Sequence, residues 1–296
     1  MKNSISFFIL ILLKFTAYTQ QIPQFTQYMY NTIAINPAFA GAKKVFDINI
    51  LNRNQWVGIS GAPNTQTLSI NSPINQSNVG VGLSIINDKI GYEESLFVYG
   101  DVSYKLNLDY KKKNYLTFGL KGGFERYGFD SDLENSILFE DDDFLNTINQ
   151  KWLINFGIGF HLKIDEFSLG IASPKLFKYQ ALKRRNLFIN GSYLHTINDN
   201  IKFKPAFIIK YIDGAPLSVD LTSLFLINEK FWLGAFIRLE DSVGVITNIK
   251  VLKNISVGYS YDYVTSKNTA FTSGSHEIMI NYKIDLTKNG CNCYSL

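Results

Sequence analysis

Ser95-Leu96-Phe97-Val98-Tyr99-Gly100-Asp101-Val102-Ser103-Tyr104-Lys105-Leu106-Asn107-Leu108-Asp109 alternates between two faces. The even positions carry Leu96, Val98, Val102, Tyr104, Leu106 and Leu108, with Gly100 among them. The odd positions start with Phe97 and Tyr99 and continue as Asp101, Ser103, Lys105, Asn107 and Asp109. Successive side chains of a strand point to opposite faces, so this stretch reads as one strand with a greasy side and a wet side. It outruns the usual soluble strand of about five or six residues. The pattern recurs with turn residues between segments, which is the signature of a membrane β-barrel.

Other segments repeat it. Leu116, Phe118, Leu120, Gly122 and Phe124 oppose Thr117, Gly119, Lys121, Gly123 and Glu125. Trp152, Ile154, Phe156, Ile158 and Phe160 oppose Asn155, Gly157, Gly159 and His161. Ile255, Val257, Tyr259, Tyr261 and Tyr263 oppose Ser256, Gly258, Ser260 and Asp262. Small residues on the wet face leave room inside for a plug or a narrow channel. Ile86, Ile208, Leu224 and Phe236 also fall on that face, so the lumen is not uniformly wet.

A chain of 296 residues holds one barrel of about twelve to sixteen strands. Aromatics make up 15%, which suits girdles at the two membrane interfaces. Charged residues are 18% and the net charge is +4, with no Lys/Arg stripe that points to nucleic acid. Met1–Thr19 reads as a signal peptide: Lys2 supplies the positive end, Ile5–Leu13 a short apolar core, and Ala17 and Thr19 the small residues before cleavage at Gln20. That core is shorter than the roughly 20 residues a spanning helix needs. An exported, aromatic-rich chain without a spanning helix crosses a membrane only as a closed barrel.

The expected organisation is a signal peptide at 1–19, a plug or periplasmic segment at 20–43, an outer-membrane barrel at 44–286 and a tail at 287–296. The fold class is all-β, a transmembrane antiparallel barrel of about fourteen strands with an N-terminal plug. An even count puts both termini in the periplasm. Short connectors are then expected on that side: Ser72–Asn78, Tyr110–Lys113, Lys163–Asp165, Asn198–Asn200, Asn228–Lys230 and Lys253. Long ones face outward: Arg53–Asn64, Asn87–Glu94, Tyr127–Lys151, Ser173–Arg185 and Val264–Ser275. The eighth strand is expected to run unbroken over 186–197. Segment Gln20–Ala42 lacks alternation. Phe25, Tyr28, Met29 and Thr32 fall at helical spacing, and Asn36-Pro37 would end such a helix.

Gln24-Phe25-Thr26-Gln27-Tyr28-Met29-Tyr30-Asn31, then Ile35-Asn36-Pro37-Ala38-Phe39-Ala40-Gly41, resembles the opening signature of the PorP/SprF proteins. Arg53-x-Gln55-Trp56-x-Gly58 with Gly61-Ala62-Pro63-x-Thr65 is similar to that family's second block. Gly80-x-Gly82 leading to Asn87-Asp88-x-Ile90-Gly91, and the closing Gly274-Ser275-His276-Glu277-Ile278, extend the likeness over nearly the whole mature chain. One departure is Ile22 before Pro23, where family members often carry Asp. The resemblance implies a non-enzymatic outer-membrane protein of the type IX secretion and gliding machinery. It implies as partners outer-membrane lipid, one large secreted surface protein with a type IX sorting domain, and periplasmic type IX components.

Arg53, Gln55 and Trp56 fall where the first strand leaves the membrane, with Gly58, Gly61 and Pro63 shaping the loop beyond. The sharper reading is a lock: Arg53 donates to plug carbonyls or a carboxylate, and Trp56 covers a plug aromatic. The plainer reading is an interfacial Trp beside a solvated Arg. Asn36 and Pro37 read as the turn that hands the plug to the first strand. A similar Asn-Pro-Ala precedes the barrel of long-chain fatty-acid channels, which supplies the alternative function, a channel for hydrophobic small molecules.

Asp130, Asp132, Glu140, Asp141, Asp142 and Asp143 make the longest outer loop acidic, and Lys178, Lys183, Arg184 and Arg185 make the next one basic. These charges either pair or present a mixed docking face for a partner. The carboxylates lack the spacing of a Ca²⁺ loop, so a solvated acidic loop is expected. Cys291-x-Cys293 reads as a terminal tail rather than a metal site. His161, His195 and His276 sit on different strands, and no catalytic motif accompanies them. No cofactor or metal is expected.

Overall fold

The computed structural model describes residues 23–43, 45–75, 77–111, 113–129, 152–177, 185–266 and 272–286. The expected signal peptide, the acidic loop from Asp130 to Asp143, Lys178, Lys183, Arg184 and the two cysteines lie outside the described residues.

Among the described residues, fourteen strands form one sheet. They are β1 Val45–Asn54, β2 Asn64–Pro73, β3 Val79–Ile90, β4 Glu93–Asn107, β5 Tyr115–Phe129, β6 Trp152–Ile164 and β7 Phe167–Ser173. β8 is Asn186–Tyr193, continued beyond Leu194 as His195–Asn198. Then follow β9 Ile201–Ile212, β10 Ser218–Ile227, β11 Phe231–Arg238, β12 Ser242–Lys250, β13 Ile255–Val264 and β14 Ser275–Asp285. Each pairs antiparallel with its chain neighbours, and β1 pairs with β14, so the sheet closes on itself. A closed ladder leaves no open edge, which a bilayer requires.

The wall follows the alternation. On β4, Asp101 and Ser103 are buried while Val102 and Tyr104 are exposed. On β6, Asn155 and His161 are buried while Trp152, Ile154, Phe156, Ile158 and Phe160 are exposed. The exposed apolar side chains form the lipid-facing band. Aromatics stand near both ends, Tyr92, Trp152, Tyr211 and Tyr263 at one and Tyr104, Phe167, Tyr193 and Phe225 at the other, while Phe124, Phe156, Phe160 and Tyr259 lie between them.

Several boundaries differ from expectation: β1 runs on through Arg53 and Asn54, and β5 through Phe129, where connectors were expected. The connector read at Asn87–Glu94 is only Gly91 and Tyr92, because Asn87 pairs with Leu96 and Asp88 with Ser95. Those polar residues continue the wall past the hydrocarbon rather than leaving it, and Gly91 turns the hairpin at φ 59°. β8 is interrupted at Leu194, opposite the part of β9 that carries Pro205. Proline has no N–H to donate, so the ladder is weakened there.

Residues 23–43 form no regular α-helix. A chain of turns leads to two short 3₁₀ turns, Thr32–Ala34 and Pro37–Phe39. Asn36 starts the second turn rather than ending a helix: its Oδ1 accepts from Ala38 N at 2.9 Å, and Pro37 takes the first turn position. Phe25, Tyr28, Met29, Tyr30 and Ile35 share one buried cluster with Ile86, Ile208, Leu224, Phe236, Ile246 and Met279. The apolar residues on the otherwise wet face thus have apolar partners in the N-terminal segment.

Candidate functional site

The site lies at the end of the barrel that bears the longer connectors. There β1 ends, β13 ends and β14 begins. Arg53, the second-last residue of β1, faces Glu277 across the β1–β14 ladder. It is 1% exposed. Its guanidinium donates to Asp262 Oδ2 at 2.7 Å, Glu277 Oε2 at 3.3 Å and Thr26 Oγ1 at 2.9 Å. Glu277 in turn accepts from the backbone N–H groups of Thr26 at 2.9 Å and Gln27 at 2.7 Å. Thr26 Oγ1 donates to Asp262 Oδ2 at 2.8 Å. One buried guanidinium and two carboxylates therefore grip two consecutive residues of the N-terminal segment.

The charges continue around the wall. Asp262 lies 3.7 Å from Arg238 of β11. Arg238 holds Asp220 of β10 through two hydrogen bonds at 3.0 and 3.1 Å, and Asp220 accepts from Lys210 of β9 at 2.9 Å. Lys210, Asp220, Arg238, Asp262, Arg53 and Glu277 thus alternate in sign. Taking one such charge from water is costly, and an adjacent opposite charge plus hydrogen bonds offsets that cost. On the other wall Lys121 bridges Asp101 at 2.8 Å and donates to Ile33 O at 3.1 Å. Nearby, Glu125 accepts from Tyr99 and Tyr127 and pairs with Lys175 at 3.4 Å.

The segment descends from this level to the opposite end. Asn31 bonds Thr67 and Ser69 of β2 at 3.1 and 2.7 Å. Asn36 Nδ2 donates to Phe160 O at 3.0 Å, and Phe39 stacks on His161 with centroids 4.1 Å apart. Ala40 O accepts from Ser103 at 2.6 Å. Glycines let the backbones meet. A Cβ on Gly119 would lie 2.2 Å from Ala38 N, and one on Gly80 would lie 2.1 Å from Ala40 O.

The other residues singled out in the sequence lie elsewhere. Gln55 is buried, and its N–H donates to Pro63 O at 2.9 Å. Trp56 has φ 47° and donates its N–H to Ser275 Oγ at 3.1 Å. With Gln55, Pro63 and His276, Trp56 lines a cleft of about 470 Å³. Gly58 and Gly61 take φ 101° and 73°, where a side chain is strained, and Gly61 O accepts from Gly91 N at 2.8 Å. Arg185 is exposed at the start of β8, and its carbonyl accepts from Asp213 N at 3.0 Å. His276 Nδ1 and the Tyr259 hydroxyl are 2.8 Å apart.

Sequence reading missed Lys210, Asp220 and Arg238. Each is a lone charge on the inward face of a strand, and that parity was the available signal. It also missed His161 and Ser168, whose Nε2 and Oγ are 2.9 Å apart on neighbouring strands. The His161 Nδ1 is buried without a hydrogen-bond partner, so no carboxylate orients the ring as a nucleophile-activating base needs.

Comparison with known proteins agrees with this architecture. Residues 17–282 match the family described as type IX secretion system membrane protein PorP/SprF. The chain belongs to the PorP/SprF family. It is an outer-membrane β-barrel. Among solved structures, the Acinetobacter baumannii outer membrane protein Omp33 aligns with 10% identity and a TM-score of 0.50, covering 82% of this chain and 100% of that one. That likeness is one of fold alone. The KdgM porin aligns with 12% identity and a TM-score of 0.42, over 80% of this chain and 99% of its own. A comparison with curated proteins found no match.

Proposed function

We propose that this PorP/SprF barrel is a non-enzymatic component of the type IX secretion and gliding machinery that helps export a large secreted surface protein or holds it at the cell surface. In this reading residues 20–43 plug the lumen, and the outer loops, including Asp130–Asp143 and Lys178–Arg185, meet the partner. The observation that carries it is the grip of Arg53, Asp262 and Glu277 on Thr26 and Gln27. A barrel that fastens its own N-terminal segment through buried charges is built to stay shut and to work through its rim. Loops on a rigid scaffold are where recognition usually lives. Deleting Asp130–Asp143 tests it. Surface retention of one secreted protein should fall while the barrel still reaches the outer membrane, and normal retention of every surface protein refutes docking on this loop.

A second reading, passage of apolar solutes, has one observation in its favour. A groove of about 590 Å³ opens beside the interruption of β8, lined by Tyr193, Pro205, Phe207, Leu221, Ala235 and Ile237. Apolar lining next to a broken ladder is what a lateral exit needs.

A further inference from the structure

The outward face of the wall changes character in steps where β14, β1 and β2 lie side by side. Ile280, Ile50 and Leu68 share one row across the three strands. Ile278, Asn52 and Gln66 share the next, and His276, Asn54 and Asn64 share the one at the rim. Ile50, Ile278 and Ile280 are exposed, as the lipid-facing band requires. Rows two residues apart lie roughly 7 Å apart along a strand. The headgroup layer outside the hydrocarbon is roughly 5–8 Å thick. The rim row therefore stands at headgroup level, at the end whose longer connectors face the cell exterior.

A cleft of about 470 Å³ opens on this row. Asn54, Gln55, Asn64 and His276 supply its polar lining, with Trp56 and Ile59 beside them. Among the described residues it is lined by no Asp, Glu, Lys or Arg. Gln55 is only 8% exposed, and its side-chain amide has no hydrogen-bond partner among the described residues. Leaving a buried amide unpaired is costly, and this one opens onto the cleft, where a ligand can pair it. Asn64 Nδ2 donates to Asn54 Oδ1, which leaves Asn54 Nδ2 as a donor and Asn64 Oδ1 as an acceptor. Trp56 is held at φ 47° by its N–H bond to Ser275 Oγ and by Val57 N, which donates to Gly274 O at 2.8 Å. Bulky residues rarely adopt that conformation, and such strain gathers at ligand sites.

We propose that this cleft binds the uncharged sugar headgroup of an outer-leaflet glycolipid. A sugar ring carries hydroxyls around its edge, each a donor and an acceptor, and C–H groups on its faces. Amides and an imidazole match the edge, and the indole matches a face. A phosphate headgroup calls for Arg or Lys, which the described lining lacks. A peptide that adds to a sheet needs a free strand edge. The backbone here is spent: Gln55 N donates to Pro63 O, Val57 N donates to Gly274 O, and Val57 O accepts from Ser273 N. The acyl chains then lie against Ile278, Ile50 and Leu68, one and two rows nearer the membrane centre. The inference stands without the docking role assigned to the outer loops.

The test uses the full-length barrel, purified without sugar detergents and placed in nanodiscs of equal parts phosphatidylcholine, phosphatidylglycerol and digalactosyl diacylglycerol. Native mass spectrometry reads which lipids stay bound. The galactolipid should be retained in excess over the other two. Gln55→Leu and Trp56→Gly should each lower that excess by about three- to tenfold, the scale of one hydrogen bond or one stacked ring. Trp152→Ala, which removes an exposed ring at the same end on β6, should leave it unchanged. Heat-dependent gel mobility shows which variants are folded, and Asn64→Ala replaces either one that is not. Equal galactolipid excess in the parent and the folded cleft variants overturns the proposal. So does an equal loss in Trp152→Ala, or preferential retention of phosphatidylglycerol, which marks an anionic headgroup site instead.

Discussion

Arg53 Nη2 donates to Asp262 Oδ2 at 2.7 Å, and each side chain is 1% exposed. The two residues come from strands separated by β14, so the bond reaches past Glu277 rather than along a ladder. Asp262 also faces Arg238 at 3.7 Å and Thr26 at 2.8 Å. A single carboxylate thereby links the two halves of the charge chain to the N-terminal segment.

Arg53→Ala should free the segment while leaving the barrel closed. It removes the cation that Glu277 pairs with and one of the two that flank Asp262, and breaking a buried pair by removing one partner costs about 3–5 kcal/mol. Limited proteolysis should cut within residues 23–43 in the variant and not in the parent, with heat-dependent gel mobility unchanged. Arg53→Lys should protect partially, because an ammonium keeps the charge but not the planar fork. Full protection of residues 23–43 in Arg53→Ala refutes the lock.

Asp262→Asn should cost more than Glu277→Gln. Asp262 stands between two guanidinium groups, whereas Glu277 pairs with Arg53 alone and gains two backbone donors. Neutralising Asp262 leaves like charges facing each other at a buried site. The midpoint of denaturant-induced loss of the folded gel form orders the two variants, and the reverse order contradicts a shared role for Asp262.

Much of the wall was legible because a strand declares its faces one residue at a time. Asp101, Lys121, Glu125 and Asp262 each break an apolar alternation at the inward parity. The lumen was less legible. Ile208, Leu224 and Phe236 looked misplaced on a wet face, because their apolar neighbours Tyr28, Met29 and Tyr30 lie far away in the chain. Arg53 stood out through its surrounding motif, but its partners are set by barrel closure, which brings β14 beside β1. Asn87 and Asp88 were read as loop from their polarity, but both pair across the β3–β4 ladder, and Asp88 is buried where it accepts from Thr65 Oγ1.

Filling the groove beside β8 separates the two functional readings. Ala235→Trp places a large ring where Leu221, Phe207 and Ile237 line the space. Surface retention of the secreted partner and uptake of a labelled fatty acid should both stay at parental levels. A clear fall in uptake with retention intact would move the assignment to the channel.

The glycines give the sharpest test of a closed lumen. A Cβ at Gly119 would lie 2.2 Å from Ala38 N and 2.4 Å from Pro37 C, and both are backbone atoms that cannot rotate away. A Cβ at Gly100, on the lipid side of the neighbouring strand, would meet nothing nearer than Gly122 O at 3.9 Å. Alanine costs a strand little in itself, so the two substitutions differ mainly in what they strike. Gly119→Ala should push residues 36–40 off the wall and raise single-channel conductance in planar bilayers. Gly100→Ala should leave conductance at the parental level. Gly80→Ala, whose Cβ would meet Ala40 O at 2.1 Å, should behave like Gly119→Ala. If both inward variants stay as silent as Gly100→Ala while folded, residues 36–40 do not block the lumen and the plug is refuted.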